Sequence, residues 1–151
     1  MSQMIEDLRI EAESQPGPQR AGAATTVTLQ FINTGAQVRT LFFIESETFR
    51  LGQSTFRFKS GSGPTQVQPP AREGYMPRED DFRELEPHGR LVFTQRLLIP
   101  RTIPSGTLTV QWEYQNSIIT WPSKMSNAGD PIPGILRGRL AVDFKVKVTR
   151  S

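Results

Sequence analysis

Leu140-Ala141-Val142-Asp143-Phe144-Lys145-Val146-Lys147-Val148 is the stretch on which the fold turns. Its large apolar residues occupy every second position, and Ala141, Asp143, Lys145 and Lys147 fill the places between. A period of two puts one set on one face of an extended strand and the other set on the opposite face. The same alternation recurs upstream. Leu8, Ile10 and Ala12 alternate with Arg9, Glu11 and Glu13, and Val27, Leu29 and Phe31 recur in Thr25–Asn33. Phe56 and Phe58 flank Arg57, and Leu108, Val110, Trp112 and Tyr114 alternate with Thr109, Gln111 and Glu113. Leu91, Phe93 and Leu97 share a parity that Gln95 interrupts, and Leu41-Phe42-Phe43-Ile44 is a continuous apolar run suited to a strand covered on both sides.

Gly- and Pro-bearing punctuation falls between these runs, at Gln15–Pro18, Asn33–Gly35, Leu51–Ser54, Gly61–Pro64, Glu86–Gly89 and Pro104–Gly106. Each supplies residues that set or permit turn dihedrals. No segment offers an amphipathic helix of three turns, although Pro77 to Phe82 suits one short helical turn. The reading is an all-β protein, an immunoglobulin-like antiparallel β-sandwich of about seven to nine strands with long loops at one pole. The strands are expected near Leu8–Glu13, Thr25–Ile32, Val38–Ile44, a Phe49–Lys59 hairpin, Gly89–Ile99, Thr107–Gln115 and Leu136–Val148. Strand order is not readable from pattern alone, so a jelly roll or C2-like arrangement stays open.

The 151 residues suit a single domain spanning 1–151, with its core at about 7–149. Cysteine is absent, which excludes a disulfide framework, a thiolate metal site and a cysteine nucleophile. The N-terminal Met1–Ile10 lacks a basic start followed by an apolar stretch, and no window reaches the ~20 apolar residues of a membrane helix. A soluble cytoplasmic protein without a membrane partner is expected. The net charge of +3 is too small a surplus to indicate nucleic-acid binding by itself. Arg57, Lys59, Arg96, Arg137, Arg139, Lys145, Lys147 and Arg150 fall largely on outward parities, while Phe56, Phe58 and Phe144 fall on inward ones. Single-strand binders instead interleave such charges with exposed aromatics. A solvated outer face is the favoured reading.

Nothing here assembles a catalytic centre, and no enzyme, cofactor or metal is expected. The single histidine, His88, sits in the turn Pro87-His88-Gly89 with no recognisable nucleophile setting. Glu79-Asp80-Asp81, with Glu84 and Glu86, offers oxygens to calcium but lacks EF-hand spacing. Gly61-Ser62-Gly63-Pro64 lacks the Lys-Ser/Thr of a phosphate loop.

Two long connections remain. Asn116–Gly134 exceeds the roughly 12–15 residues beyond which loops in compact domains are uncommon and often functional. It carries Ile118, Ile119, Trp121, Lys124, Met125 and Ile132. Either these cap one end of the sandwich or they face a partner; for Trp121 the two weigh alike, and for Ile132 between prolines capping is favoured. In an immunoglobulin topology, Asn33–Ala36, the Pro69–Pro87 connection and Asn116–Gly134 gather at one pole. The candidate partner-binding residues are therefore Tyr75, Met76, Arg78, Ile118, Ile119, Trp121, Lys124 and Met125.

Leu8-Arg9-Ile10-Glu11, Arg20-Ala21-Gly22 and Val27 through Gly35 together are similar to the opening of bacterial immunoglobulin-like domains. Gly74-Tyr75-Met76-Pro77, followed by Asp80-Asp81-Phe82-Arg83-Glu84-Leu85-Glu86-Pro87-His88-Gly89, resembles a segment of the immunoglobulin-like portion found ahead of deuterolysin-type metalloproteases. It also resembles the intracellular proteinase inhibitor family of bacilli. The likeness covers most of Leu8 to Gln115. It departs where His88 separates Pro87 from Gly89, and the His-Glu-x-x-His zinc motif of the proteases is absent. It implies the sandwich fold and a protease as a possible partner, with Tyr75–Arg78 or Ile119–Lys124 as inserts.

The expected function is a non-catalytic protein-protein interaction module or assembly subunit that binds through loops at one pole. A protease inhibitor is the alternative, and a carbohydrate binder using Trp121, Tyr114 and the acidic loop ranks below it. An edge such as Leu136–Val148 offers a route to homo-oligomers by strand pairing.

Overall fold

A computed structural model describes residues 5–44, 54–59, 66–67, 77–123 and 125–149. Ten strands run through them: β1 (Leu8–Ser14), β2 (Gln19–Arg20), β3 (Ala24–Asn33), β4 (Arg39–Phe42), β5 (Ser54–Lys59), β6 (Gln66–Val67), β7 (Phe82–Leu85), β8 (Arg90–Leu98), β9 (Gly106–Asn116) and β10 (Gly138–Thr149). One 3₁₀ turn, Glu79–Asp81, precedes β7 and falls where the sequence suits a single helical turn.

The alternating stretches became two facing sheets. One has the order β1-β3-β8 and the other β2-β10-β9-β5-β6. A third pair, β4-β7, stands apart from both. Pairing is antiparallel throughout except between β2 and β10, where Val148 meets Gln19 and Thr149 meets Arg20 in parallel. That exception follows from Pro16-Gly17-Pro18. The prolines interrupt the ladder that β1 shares with β3, Gly17 takes φ +89, and the chain crosses to the other sheet. The result is an immunoglobulin-like sandwich whose first strand divides between the sheets, and it selects that topology over the jelly roll and C2-like alternatives.

Between the sheets lies the apolar parity read from the sequence. Phe31 is fully buried, and its ring meets those of Phe43, Phe93, Trp112 and Tyr114 at centroid distances of 5.1, 5.8, 5.3 and 5.0 Å. Burying each such ring contributes roughly 1.5–3 kcal/mol against exposure, which makes this cluster the main adhesive between the layers. Phe56, Phe58 and Phe144 are buried too, as their parity requires.

Several expectations need correction. The Pro69–Pro87 connection is not wholly a loop, since it holds the 3₁₀ turn and β7. Leu41–Ile44 is buried throughout, but the strand is bounded at Phe42, and Phe43 continues the register only by its N–H to the carbonyl of Asp81, the last residue of the 3₁₀ turn, at 2.9 Å. Tyr114 is buried, and its hydroxyl donates to the Phe42 carbonyl at 2.7 Å, so it has no face to offer a sugar. Of the Phe49–Lys59 hairpin, residues 49–53 lie outside the described residues; Ser54–Lys59 pairs with β9 and, at two residues, with β6. β10 is joined by β9 along its length and by β2 at its far end.

Candidate partner-binding pole

The end of the sandwich where β3 and β9 finish and β8 and β10 begin is built by two buried asparagines. Asn33 closes β3: its Oδ1 accepts the Gly35 N–H at 2.9 Å, and its Nδ2 donates to Gln37 O at 2.7 Å and Leu85 O at 2.9 Å. Asn116 does the same for β9: its Oδ1 accepts the Ile118 N–H at 2.9 Å, and its Nδ2 donates to Ile118 O at 3.1 Å and Leu136 O at 2.9 Å. An amide carries both donors and an acceptor, so each one satisfies several loop backbone groups that would otherwise be buried unpaired. The sequence reading missed both. Their signal was present, since each stands on the inward parity of its strand at the last residue, where an apolar side chain is otherwise expected.

A guanidinium holds the same end from outside. Arg39 donates Nη1 to the Asp7 carboxylate at 3.0 Å and Nε to Gly134 O at 3.0 Å, and it also reaches Glu6 O and Ile135 O. β4 is bonded to the same stretch through Thr40 N–H to Gly134 O at 2.8 Å and Leu136 N–H to Thr40 O at 2.9 Å.

On this platform Asn116–Gly134 folds back on itself as a short hairpin. Thr120 bridges Pro131, the Trp121 N–H reaches Asp130 O at 2.9 Å, and the Ile132 N–H reaches Ile119 O at 2.9 Å. Ile132 is buried, in keeping with its expected inward role. Trp121 is half-buried. Its ring meets Phe82 edge-on at 5.0 Å, and Phe82 in turn stacks on the buried Phe42 at 4.7 Å. The two long connections thus touch through the Trp121–Phe82 pair, which Phe42 seats on β4. Phe82 is set by the 3₁₀ turn before it, where the Asp81 carboxylate accepts the Arg78 N–H at 2.8 Å and the Asp81 N–H returns to Arg78 O at 3.0 Å.

Of the residues named from sequence, Ile118 is half-buried and pinned by Asn116, Ile119 is 42% exposed, and Met125 is half-buried in the turn that follows Pro122. Arg78 is exposed at the start of the 3₁₀ turn. Tyr75, Met76 and Lys124 lie outside the described residues. Phe82 was not among the sequence candidates.

Away from the pole, Val92 and Leu98 on β8 are exposed apolar residues, whereas one sheet face carries paired charges. On the outer face of β5, β9 and β10, Arg57 and Arg139 each stand 3.8 Å from Glu113, and Lys59 lies 3.3 Å from Asp143. His88 is exposed. Among the described residues no group of three or more His, Cys, Asp or Glu is placed to hold a metal ion, and no helix is long and apolar enough to cross a membrane.

Two solved structures align with nearly the whole chain. One is the ASH/PapD-like domain of human CEP192 (PapD-like domain 7), with 11% identity over 100% of this chain and 92% of that one, at a TM-score of 0.41. The other is AvmM, described as catalysing macrocyclization in alchivemycin A biosynthesis, with 12% identity over 97% of this chain and 92% of that one, at a TM-score of 0.43. No protein-family model and no curated protein matches the chain.

Proposed function

We propose that this protein is a non-catalytic interaction module that binds another protein through the pole carrying Phe82, Ile119, Trp121 and Met125, with Arg78 at its margin. The observation that carries the reading is the Phe82–Trp121 contact, which joins two long connections and leaves Ile119 42% exposed beside them. A half-buried Trp on a fixed hairpin presents apolar area whose ordering cost is already met, and Trp and Met are enriched at the centres of interfaces.

The test compares partner capture by the wild type with that by Trp121→Ala and Ile119→Asp, each checked for its β fold by circular dichroism. Lys145→Glu on the outer sheet face serves as the control. The reading requires that both pole variants lose the partner at least about tenfold, as for an interface centre, while the control keeps it. Equal retention by all four proteins moves the interface off the pole.

A second reading, inhibition of a protease, draws on the extended Ile119–Trp121 segment, which is backed by hydrogen bonds from Asp130–Ile132 in the way a loop entering a protease cleft must be braced. It predicts a stoichiometric complex in which this segment stays uncut, and rapid cleavage within it would sink the idea.

A further inference from the structure

Inside the sandwich a polar chain crosses from one sheet to the other. The Trp112 indole N–H on β9 donates to the Ser54 hydroxyl on β5 at 2.8 Å. That hydroxyl, already an acceptor, donates onward to Oε1 of Gln95 on β8 at 2.9 Å. With Oε1 taking the Ser54 O–H, Nε2 is the amide atom left over. Nε2 has no hydrogen-bond partner in the protein, although Gln95 is only 1% exposed.

A second unpartnered atom is close by. Thr25 on β3 is 2% exposed, and its hydroxyl has no partner either. Leu97 stands across from Thr25, and Gln95 across from Val27. Thr25 and Gln95 are therefore diagonal neighbours on the inner face, where backbone positions lie roughly 7–8 Å apart. Two isolated buried polar atoms on one small patch each carry a desolvation penalty that a common partner removes.

We propose that Thr25 Oγ1 and Gln95 Nε2 bind one internal water molecule, which extends the Trp112–Ser54–Gln95 chain to β3. The chemistry selects this ligand. Nε2 offers only N–H, so its partner must accept, which turns a cation away. Both groups are uncharged, so an anion would be buried without compensation. The Thr25 hydroxyl can give or take a proton, so the shared partner must be small, neutral and able to do both. A bridging water makes one bond of about 2.8–3.0 Å to each of its partners.

The experiment is water-oxygen magnetic relaxation dispersion on the intact chain. It reads molecules held longer than the protein tumbles. Internal waters occur at about one per 27 residues, so the reading is a difference between variants rather than a total. Thr25→Val keeps the shape and removes the hydroxyl, while Thr25→Ser keeps the hydroxyl. The proposal expects the Val variant to lose the amplitude of about one water, as a site stripped to a single partner should, and the Ser variant to retain it. Equal amplitudes in all three proteins overturn it. Should the Val variant fail to fold, a high-resolution crystal structure of the wild type decides: a water within hydrogen-bond distance of both atoms supports the site, and a direct Thr25–Gln95 bond or empty density overturns it.

Discussion

The ring of Trp121 stands edge-on to the ring of Phe82 with 5.0 Å between centroids, and this one contact unites two connections far apart in the chain. Edge-to-face pairs contribute about 0.5–1.5 kcal/mol beyond their buried area. A double-mutant cycle of Phe82→Leu and Trp121→Leu in urea should return a coupling energy in that range. Additive losses would mean that the connections are held by the Asn33 and Asn116 networks alone, with the rings as passengers.

Gly35 lies against the Asp7 carboxyl group so closely that an added Cβ would sit 2.6 Å from Asp7 Cγ. Gly35→Ala must therefore displace the carboxylate that holds Arg39, and it should destabilise by up to about 1 kcal/mol, the scale of a partly exposed ion pair. Removing the obstacle reverses the logic. Asp7→Ala/Gly35→Ala should be no less stable than Asp7→Ala alone, as read by thermal unfolding.

His88 takes φ 59 in the turn closed by the Gly89 N–H to the Glu86 carbonyl at 2.9 Å. Pro87 before it and a positive φ at the third position match the type II pattern, which favours glycine there. His88→Gly should leave stability unchanged or raise it by up to about 1 kcal/mol, as relief of a left-handed residue allows. A loss of 1 kcal/mol or more would show that the imidazole makes a contact of its own.

Burial pushes the Tyr114 phenol well above its ordinary value of 10.0. For an acid whose pKa is raised on folding, the stabilisation is complete below the unfolded pKa and is lost as pH climbs past it. The Tyr114 contribution should thus be flat up to about pH 9 and decline above about pH 10. Tyr114→Phe should remove that decline at alkaline pH, at a cost near 1 kcal/mol at neutral pH for the lost bond to Phe42. Denaturant titrations of both proteins at pH 8 and pH 11 check it; parallel curves would show that Tyr114 ionises as freely folded as unfolded.

Period-two runs revealed every long strand, because a sheet with one dry face leaves that imprint wherever five or more residues are involved. β2 and the described part of β6 have two residues each, too few for a period, and they exist only because a neighbour's edge accepts them. β7 was hidden for another reason: along Phe82-Arg83-Glu84-Leu85 only Leu85 is fully buried, so its alternation is incomplete. The burial of Ile132 was legible from its flanking prolines. Tyr114 was misjudged as a sugar platform although its own strand parity, shared with Trp112, already turned it inward. Gln95 interrupts an apolar face in the sequence; in the sandwich its Oε1 accepts a hydrogen bond from the Ser54 hydroxyl, a role set by a residue remote in sequence.

The Arg39 guanidinium has a consequence for the order in which this protein comes into being. It grips Glu6 and Asp7 just ahead of β1 and Gly134 and Ile135 just ahead of β10. A polypeptide emerging from the ribosome therefore has no finished pole until those late residues are out, however early β1 and β3 find each other. Synthesis itself thus postpones the finished pole until the residues that follow β9 have been made.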